Sequence, residues 1–179
     1  EDFRDRLVPY LADAYPDPTG EALQAPLVSA ESFDELSARE QEILNAAAPL
    51  IQTRIQMLRE CRDMLGFLFV SDAELTIDDK AVAKLKASAG DVLDAGIHAL
   101  EGLGTEQWGR GQLEEALSAA IVEGQGMPNG EGIKPRLAYG PLRVAVTGRQ
   151  VSPPLFESME ILGAGSTLAR LKALRARLG

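Results

Sequence analysis

Apolar residues recur at helical spacing along almost the whole chain, and no run of alternating, β-branched residues marks out a sheet. Phe3, Leu7, Tyr10 and Leu11 share one face of a segment over 2–12. Tyr15-Pro16-Asp17-Pro18-Thr19-Gly20 then breaks the pattern. Ser37-Ala38-Arg39-Glu40 reads as a capping box. The helix it opens runs toward Arg59, with Pro49 as a kink or restart. Residues 65–70 are the one candidate strand, and one strand does not make a sheet. Further helices are expected from Asp78 or Asp79 toward Ala87, and over 91–103, 105–122 and 134–147, the last closed by Gly148. Ser152 reads as the N-cap of a helix through Ile161, with Gly163 just past its end. A final helix is expected over 167–178. The fold class is therefore all-α. It is read as two consecutive helical bundles, residues 1–89 and 90–179, joined at Ala89-Gly90.

A chain of 179 residues is long enough for one or two domains with a core of useful size. No apolar run approaches the ~20 residues of a membrane span. The opening residues, Glu1-Asp2-Phe3-Arg4-Asp5, are acidic and amphipathic, unlike a signal peptide. These features predict a cytoplasmic protein with no membrane partner. One cysteine, Cys61, and one histidine, His98, leave no disulfide framework and no Cys/His zinc site, so no metal site is expected. They also exclude any catalytic group that needs two histidines. His98, among Ala95, Ile97 and Leu100, reads as a core or boundary residue, and Cys61 as a small hydrophobe. The glycine-rich run 124–132 follows a helix and carries no Gly-Lys-Ser/Thr, so it reads as a linker and not a phosphate loop. Asp78-Asp79 and Glu114-Glu115 read as solvated helix surface, and no catalytic residue is expected.

The net charge is −9, from 18 basic and 27 acidic residues, and an acidic total usually argues against a nucleic-acid partner. Its distribution changes that reading. From Lys134 onward, eight basic residues face only Glu157 and Glu160, a net of +6, leaving −15 for the preceding 133 residues. Either one end of the chain faces a polyanion, or a basic C-terminal helix complements its own dipole.

Two further elements are unusual. At 100° per residue, Arg54 falls inside the apolar arc of Leu50, Ile51, Ile55 and Leu58. A guanidinium there must snorkel, pair with a carboxylate, or meet a ligand. In Val151-Ser152-Pro153-Pro154-Leu155-Phe156-Glu157, two prolines remove two N–H groups. The N–H groups of Leu155 and Phe156 are left to find partners. That is either an ordinary helix start or, with Arg143 and Arg149 near in sequence, a place to receive a base edge or phosphate.

Lys134-Pro135-Arg136, Pro141-Leu142-Arg143-Val144-Ala145-Val146-Thr147-Gly148, Ser152-Pro153-Pro154-Leu155-Phe156-Glu157 and Ile161-Leu162-Gly163 closely resemble the C-terminal end of bacterial glutamyl-tRNA synthetases. Thr167-Leu168-Ala169-Arg170-Leu171 fits the same ending, and the block around Arg54 with Gly66-Phe67-Leu68-Phe69 resembles the earlier half of that anticodon-binding region. The resemblance covers essentially the whole chain and has an actinobacterial flavour. It implies two α-helical subdomains forming a cage. The family's catalytic Rossmann domain, with its nucleotide-binding signatures, is absent from these residues. The parent enzyme would be monomeric and would join glutamate to its tRNA with ATP and Mg²⁺; the segment itself would use no cofactor.

The resemblance also implies contacts with the anticodon loop of glutamate tRNA. Arg54 matches an arginine that reads the third anticodon base, a cytosine. Arg143 matches one lying against the middle base, a uracil. Ser152 and Pro153 match a Thr-Pro pair at the first base, and Leu155 and Phe156 an apolar pair beside the anticodon. Arg149, Lys134 and Arg136 are further candidate RNA contacts. Gly140 stands where some relatives place a glutamine, and Ala164-Gly165-Ser166 replaces a charged run. The competing reading is a helical protein-interaction module with no RNA role, which the acidic total favours.

Overall fold

The computed structural model describes residues 2–13, 15–16 and 23–179. They form nine α-helices, with short 3₁₀ and π turns and one two-residue antiparallel ladder, Tyr15–Pro16 against Leu23–Gln24. The predicted all-α class holds. Residues 17–20 of the predicted break lie outside the described residues.

The chain divides into two compact units, Glu1–Val70 and Ser71–Gly179. The boundary falls well before the expected joint at residues 89–90. The reason lies in the bonds made by residues 72–79. The Asp78 N–H donates to Gly148 O at 2.8 Å, Arg170 Nε bonds Asp72 Oδ1 at 2.7 Å, and Arg177 reaches Asp79 at 2.7 Å. All three tie this segment to the C-terminal helices.

In the first unit, α1 (Phe3–Ala12) starts at Asp2, whose carboxylate accepts the Arg4 N–H at 2.9 Å. It buries Leu7, Val8 and Leu11 against α2 (Ala38–Ile51) and α3 (Glu60–Leu65). The predicted capping box at Ser37 and Glu40 is present. Pro49 stays inside α2, but the helix ends at Ile51 and not near Arg59. Two causes are visible. Thr53 and Ile55 are β-branched and extend a helix poorly. The Glu60 carboxylate also takes the Gln56 N–H at 2.9 Å, a local bond that competes with helix continuation. The candidate strand becomes a 3₁₀ turn, Gly66–Leu68, that buries Phe67 and Leu68.

The second unit contains α4 (Asp79–Ala83), α5 (Ala89–Glu101), α6 (Arg110–Leu117), α7 (Pro135–Thr147), α8 (Leu155–Leu162) and α9 (Ala164–Leu178). Helices α5, α7 and α9 pack mutually, and α8 joins α6 to α9. Val92, Leu93, Leu142 and Leu171 are fully buried among them. The helix expected over 105–122 is interrupted. A 3₁₀ turn at Thr105–Gln107 precedes α6, and a π turn, Ser118–Val122, follows it. Helix α9 begins three residues earlier than expected, because Gly163 at φ 89° serves both as the end of α8 and the start of α9. Gly163 was correctly placed just past α8.

The glycine-rich run is folded back on the π turn and is no open tether. A Cβ on Gly132 would lie 1.7 Å from Val122 O, so only glycine fits. His98 is exposed on α5, not the core or boundary residue expected. Cys61 is fully buried, and burial pushes its thiol up to about 12.

Candidate nucleic-acid interface

Lys134 is the exposed N-cap of α7 and Pro135 its first residue, where the missing N–H costs nothing. Arg136, Gly140 and Arg143 follow at i, i+4 and i+7 and share one side of the helix. Arg143 is half-buried, and its Nε donates to Ser152 Oγ at 3.1 Å. The Ser152 hydroxyl in turn donates to Pro153 O at 2.8 Å. Gly148 ends α7 in the left-handed conformation, and Thr147 Oγ1 accepts the Arg149 N–H at 3.1 Å. These bonds fix the turn that carries Arg149, Val151 and Ser152.

Ser152 is not the helix cap that its sequence position suggested. Helix α8 starts at Leu155, after an extended Pro154 with φ −50° and ψ 135°. The residue before a proline is pushed out of the helical region, so Pro153 cannot begin a helix when Pro154 follows it. The Ser152 side chain is thereby released from capping and orients Arg143. Of the remaining candidates in this segment, Pro153 and Leu155 are buried and Phe156 is half-buried. Phe156 meets Tyr139 of α7 edge-on, with ring centroids 5.2 Å apart and planes at 88°. The sequence carries no signal for Tyr139, whose distance of 17 residues from Phe156 matches no helical interval.

A cleft of about 840 Å³ lies beside Arg143. Lys84, Lys86 and Gln150 line it together with Arg136, Gly140 and Arg143. Among the described residues no Asp or Glu lines it. Leu137, exposed at 36%, is also in its wall. Lys84 and Lys86 follow the short α4, which offers no sequence signal that they approach α7.

In the first unit, Arg54 lies in the turn after α2 and is exposed. The apolar arc that drew attention to it does not exist, because the helix has already ended. Its backbone N–H donates to Ile51 O at 2.8 Å. The buried arginine of this unit is Arg62, whose guanidinium donates to the carbonyls of Asp13 (2.9 Å) and Ala25. Nothing in the local sequence distinguishes Arg62 from Arg59.

The exposed large hydrophobic residues among the described ones are Met57, Leu137 and Val151. Each lies within three residues of a candidate contact: Arg54, Arg136 and Ser152 respectively.

A family model described as "Anticodon binding domain" matches residues 2–175. The chain belongs to the anticodon-binding domain family. This anticodon-binding domain is 50% identical over 178 residues to a glutamate–tRNA ligase of Kineococcus radiotolerans, covering 99% of the chain and 31% of the relative. A glutamate–tRNA ligase of Kocuria rhizophila is 49% identical, again with 99% and 31% covered. The domain thus spans about a third of the length of these curated relatives. In three dimensions it resembles a glutamate–tRNA ligase from Elizabethkingia meningosepticum, with a TM-score of 0.62 and 18% identity over 82% of this chain and 27% of that one. That likeness concerns the fold. Among the described residues, no helix is long and apolar enough to cross a membrane.

Proposed function

We propose that this domain reads the anticodon loop of glutamate tRNA as the anticodon-binding part of a glutamate–tRNA ligase. The observation that carries the reading is the Arg143–Ser152 pair. A hydrogen bond holds a half-buried guanidinium in place beside a cationic cleft and a 74%-exposed Val151. Splayed RNA bases need a positioned donor for their edges and apolar surface for their faces. Arg143 supplies the first, and Phe156 and Val151 the second.

On this reading Arg143 donates to an acceptor edge of the middle anticodon base, a uracil. Ser152 and Pro153 lie at the first base, where Ser152 fixes the guanidinium plane. Leu155, buried in the first turn of α8, anchors the helix that carries Phe156. Arg54, in the first unit, donates to the third base, a cytosine. Arginine's rigid fork can donate to O2 and N3 on the Watson–Crick edge of cytosine, where guanine turns its own N1–H and N2–H donors toward the guanidinium. Lys134 and Arg149 attract phosphates. Glutamate attachment, with its ATP and Mg²⁺, belongs to the catalytic part of a monomeric, cytoplasmic ligase and uses none of these residues.

Photocrosslinking tests the reading. Glutamate tRNA carrying a thiouridine at the middle anticodon position should crosslink to the peptide spanning residues 143–156. Crosslinks confined to other parts of the domain would refute the placement of the middle base at Arg143, and none in low salt would favour a protein-interaction module.

A further inference from the structure

We infer that the cleft between the Lys84–Lys86 segment and α7 binds consecutive phosphates of one RNA strand, with Lys84, Lys86 and Arg136 as their charge partners. The inference rests on the RNA-binding reading and extends it from base edges to the backbone.

The cleft is shaped for such an occupant. Arg136 and Arg143 stand seven residues apart on α7, about 10 Å along its axis at 1.5 Å per residue. Between them lies Gly140, where an added Cβ would meet nothing within 4 Å. The floor between the two guanidinium-bearing positions is therefore open. Lys84 and Lys86 add charge to the same lining, and Lys84 Nζ donates to Gln150 Oε1 at 3.3 Å. With no described carboxylate in the lining, four cations share one concavity of a chain whose net charge is −9. Low-dielectric walls focus such a field, and a polyanion gains most from it. Lysine suits this role, because an ammonium meets phosphate as a point charge and needs no planar edge. The occupant is RNA in preference to an acidic peptide because Arg143, held by Ser152, lies in the same cleft and Leu137 adds apolar surface at its wall. One strand can thus place a base against Arg143 while its phosphates run along the lysines.

Two variants test this in the 179-residue domain with an anticodon stem-loop of glutamate tRNA. In Lys84→Gln/Lys86→Gln, binding should weaken by the same factor whatever the anticodon sequence. The slope of log affinity against log salt should become shallower by about 1.4, at about 0.7 per phosphate contact on a single strand. Gly140→Glu should weaken binding with its circular dichroism unchanged, since the new side chain has space but brings a negative charge into the cleft. Wild-type affinity and salt slope in both folded variants would overturn the inference while leaving base reading intact. Polyglutamate serves as the acidic-peptide probe: if it binds the wild-type domain and loses that binding in the two variants while their RNA binding is unchanged, the inference is overturned in favour of a protein partner. If the wild-type domain fails to bind the stem-loop even at low salt, the RNA reading falls and this inference falls with it.

Discussion

Arg143 Nε donates to Ser152 Oγ at 3.1 Å, joining the middle of α7 to the segment that leads into α8. The bond exists because a double proline delays α8 and frees the serine side chain from capping. A conformational constraint on the backbone is thus turned into the orientation of a cation.

Arg143→Ala should therefore weaken binding to glutamate tRNA by about 1–3 kcal/mol, the range for a good base contact. Arg143→Lys should recover little of this, since lysine has neither Nε nor the planar fork. Ser152→Ala should give a smaller loss of the same kind, about 0.5–1.5 kcal/mol for one hydrogen bond. Equilibrium titration of the three variants with tRNA checks the order. Equal affinities would detach the pair from recognition.

Arg54→Gln should leave the fold unaffected, because the side chain is exposed in a turn. Its thermal stability should stay within about 0.5 kcal/mol of wild type. In the full-length ligase, glutamine at this position can both donate and accept, so discrimination between cytosine and guanine at the third anticodon base should relax. The measurement is kcat/KM on transcripts differing at that base alone. An unchanged ratio would return Arg54 to the solvent.

Gly148→Ala probes the closure of α7. Gly148 has φ 74°, and an added Cβ would stand 2.3 Å from Thr76 O. The left-handed conformation alone costs a non-glycine residue about 1–2 kcal/mol, and the clash adds to it. The Asp78 N–H bond to Gly148 O is at risk as well. Denaturant unfolding should show a loss above about 2 kcal/mol, and a loss below that would mean the turn relaxes freely.

Cys61 couples stability to alkaline pH. Burial raises its thiol from 9.0 to about 12, so the folded state holds a proton that the unfolded state releases earlier. Its contribution is complete below pH 9 and is lost as pH rises from there toward 12. Cys61→Ala should remove that part of the alkaline destabilisation. At neutral pH, alkylation of Cys61 should proceed only as fast as the unit opens, and rapid labelling of the native protein would contradict its burial.

Much of the helical framework was readable, because periodicity and end signals act locally. The Ser37 box, Gly148 and Gly163 all stand where their chemistry placed them. The failures share one cause, which is that they depend on distant or coupled residues. Periodicity predicts a helix through Arg54 and across Thr53 and Ile55, but it carries no sign of the Glu60 carboxylate that takes the Gln56 N–H. The expected joint at residues 89–90 lies after the observed boundary because no local pattern announces that Asp72 meets Arg170, 98 residues away. Ser152 matches the pattern of a cap, but the second proline bars the first from the helical region, an effect that a cap signal read residue by residue does not contain. For the candidate site, the resemblance named Arg143 and Ser152, but only the fold joined them. Lys84 and Lys86 join the site only through the fold, which lines one cleft with the end of α4 and with α7.

The central claim is that this domain recognises anticodon bases, beyond the general attraction of cations for RNA. The most direct measurement is the affinity of the 179-residue domain for two stem-loops of identical length and charge. One carries the glutamate anticodon; in the other, the three anticodon positions are abasic. The account predicts tighter binding of the intact loop, with the difference abolished by Arg143→Ala. Equal affinity for the two RNAs would contradict it.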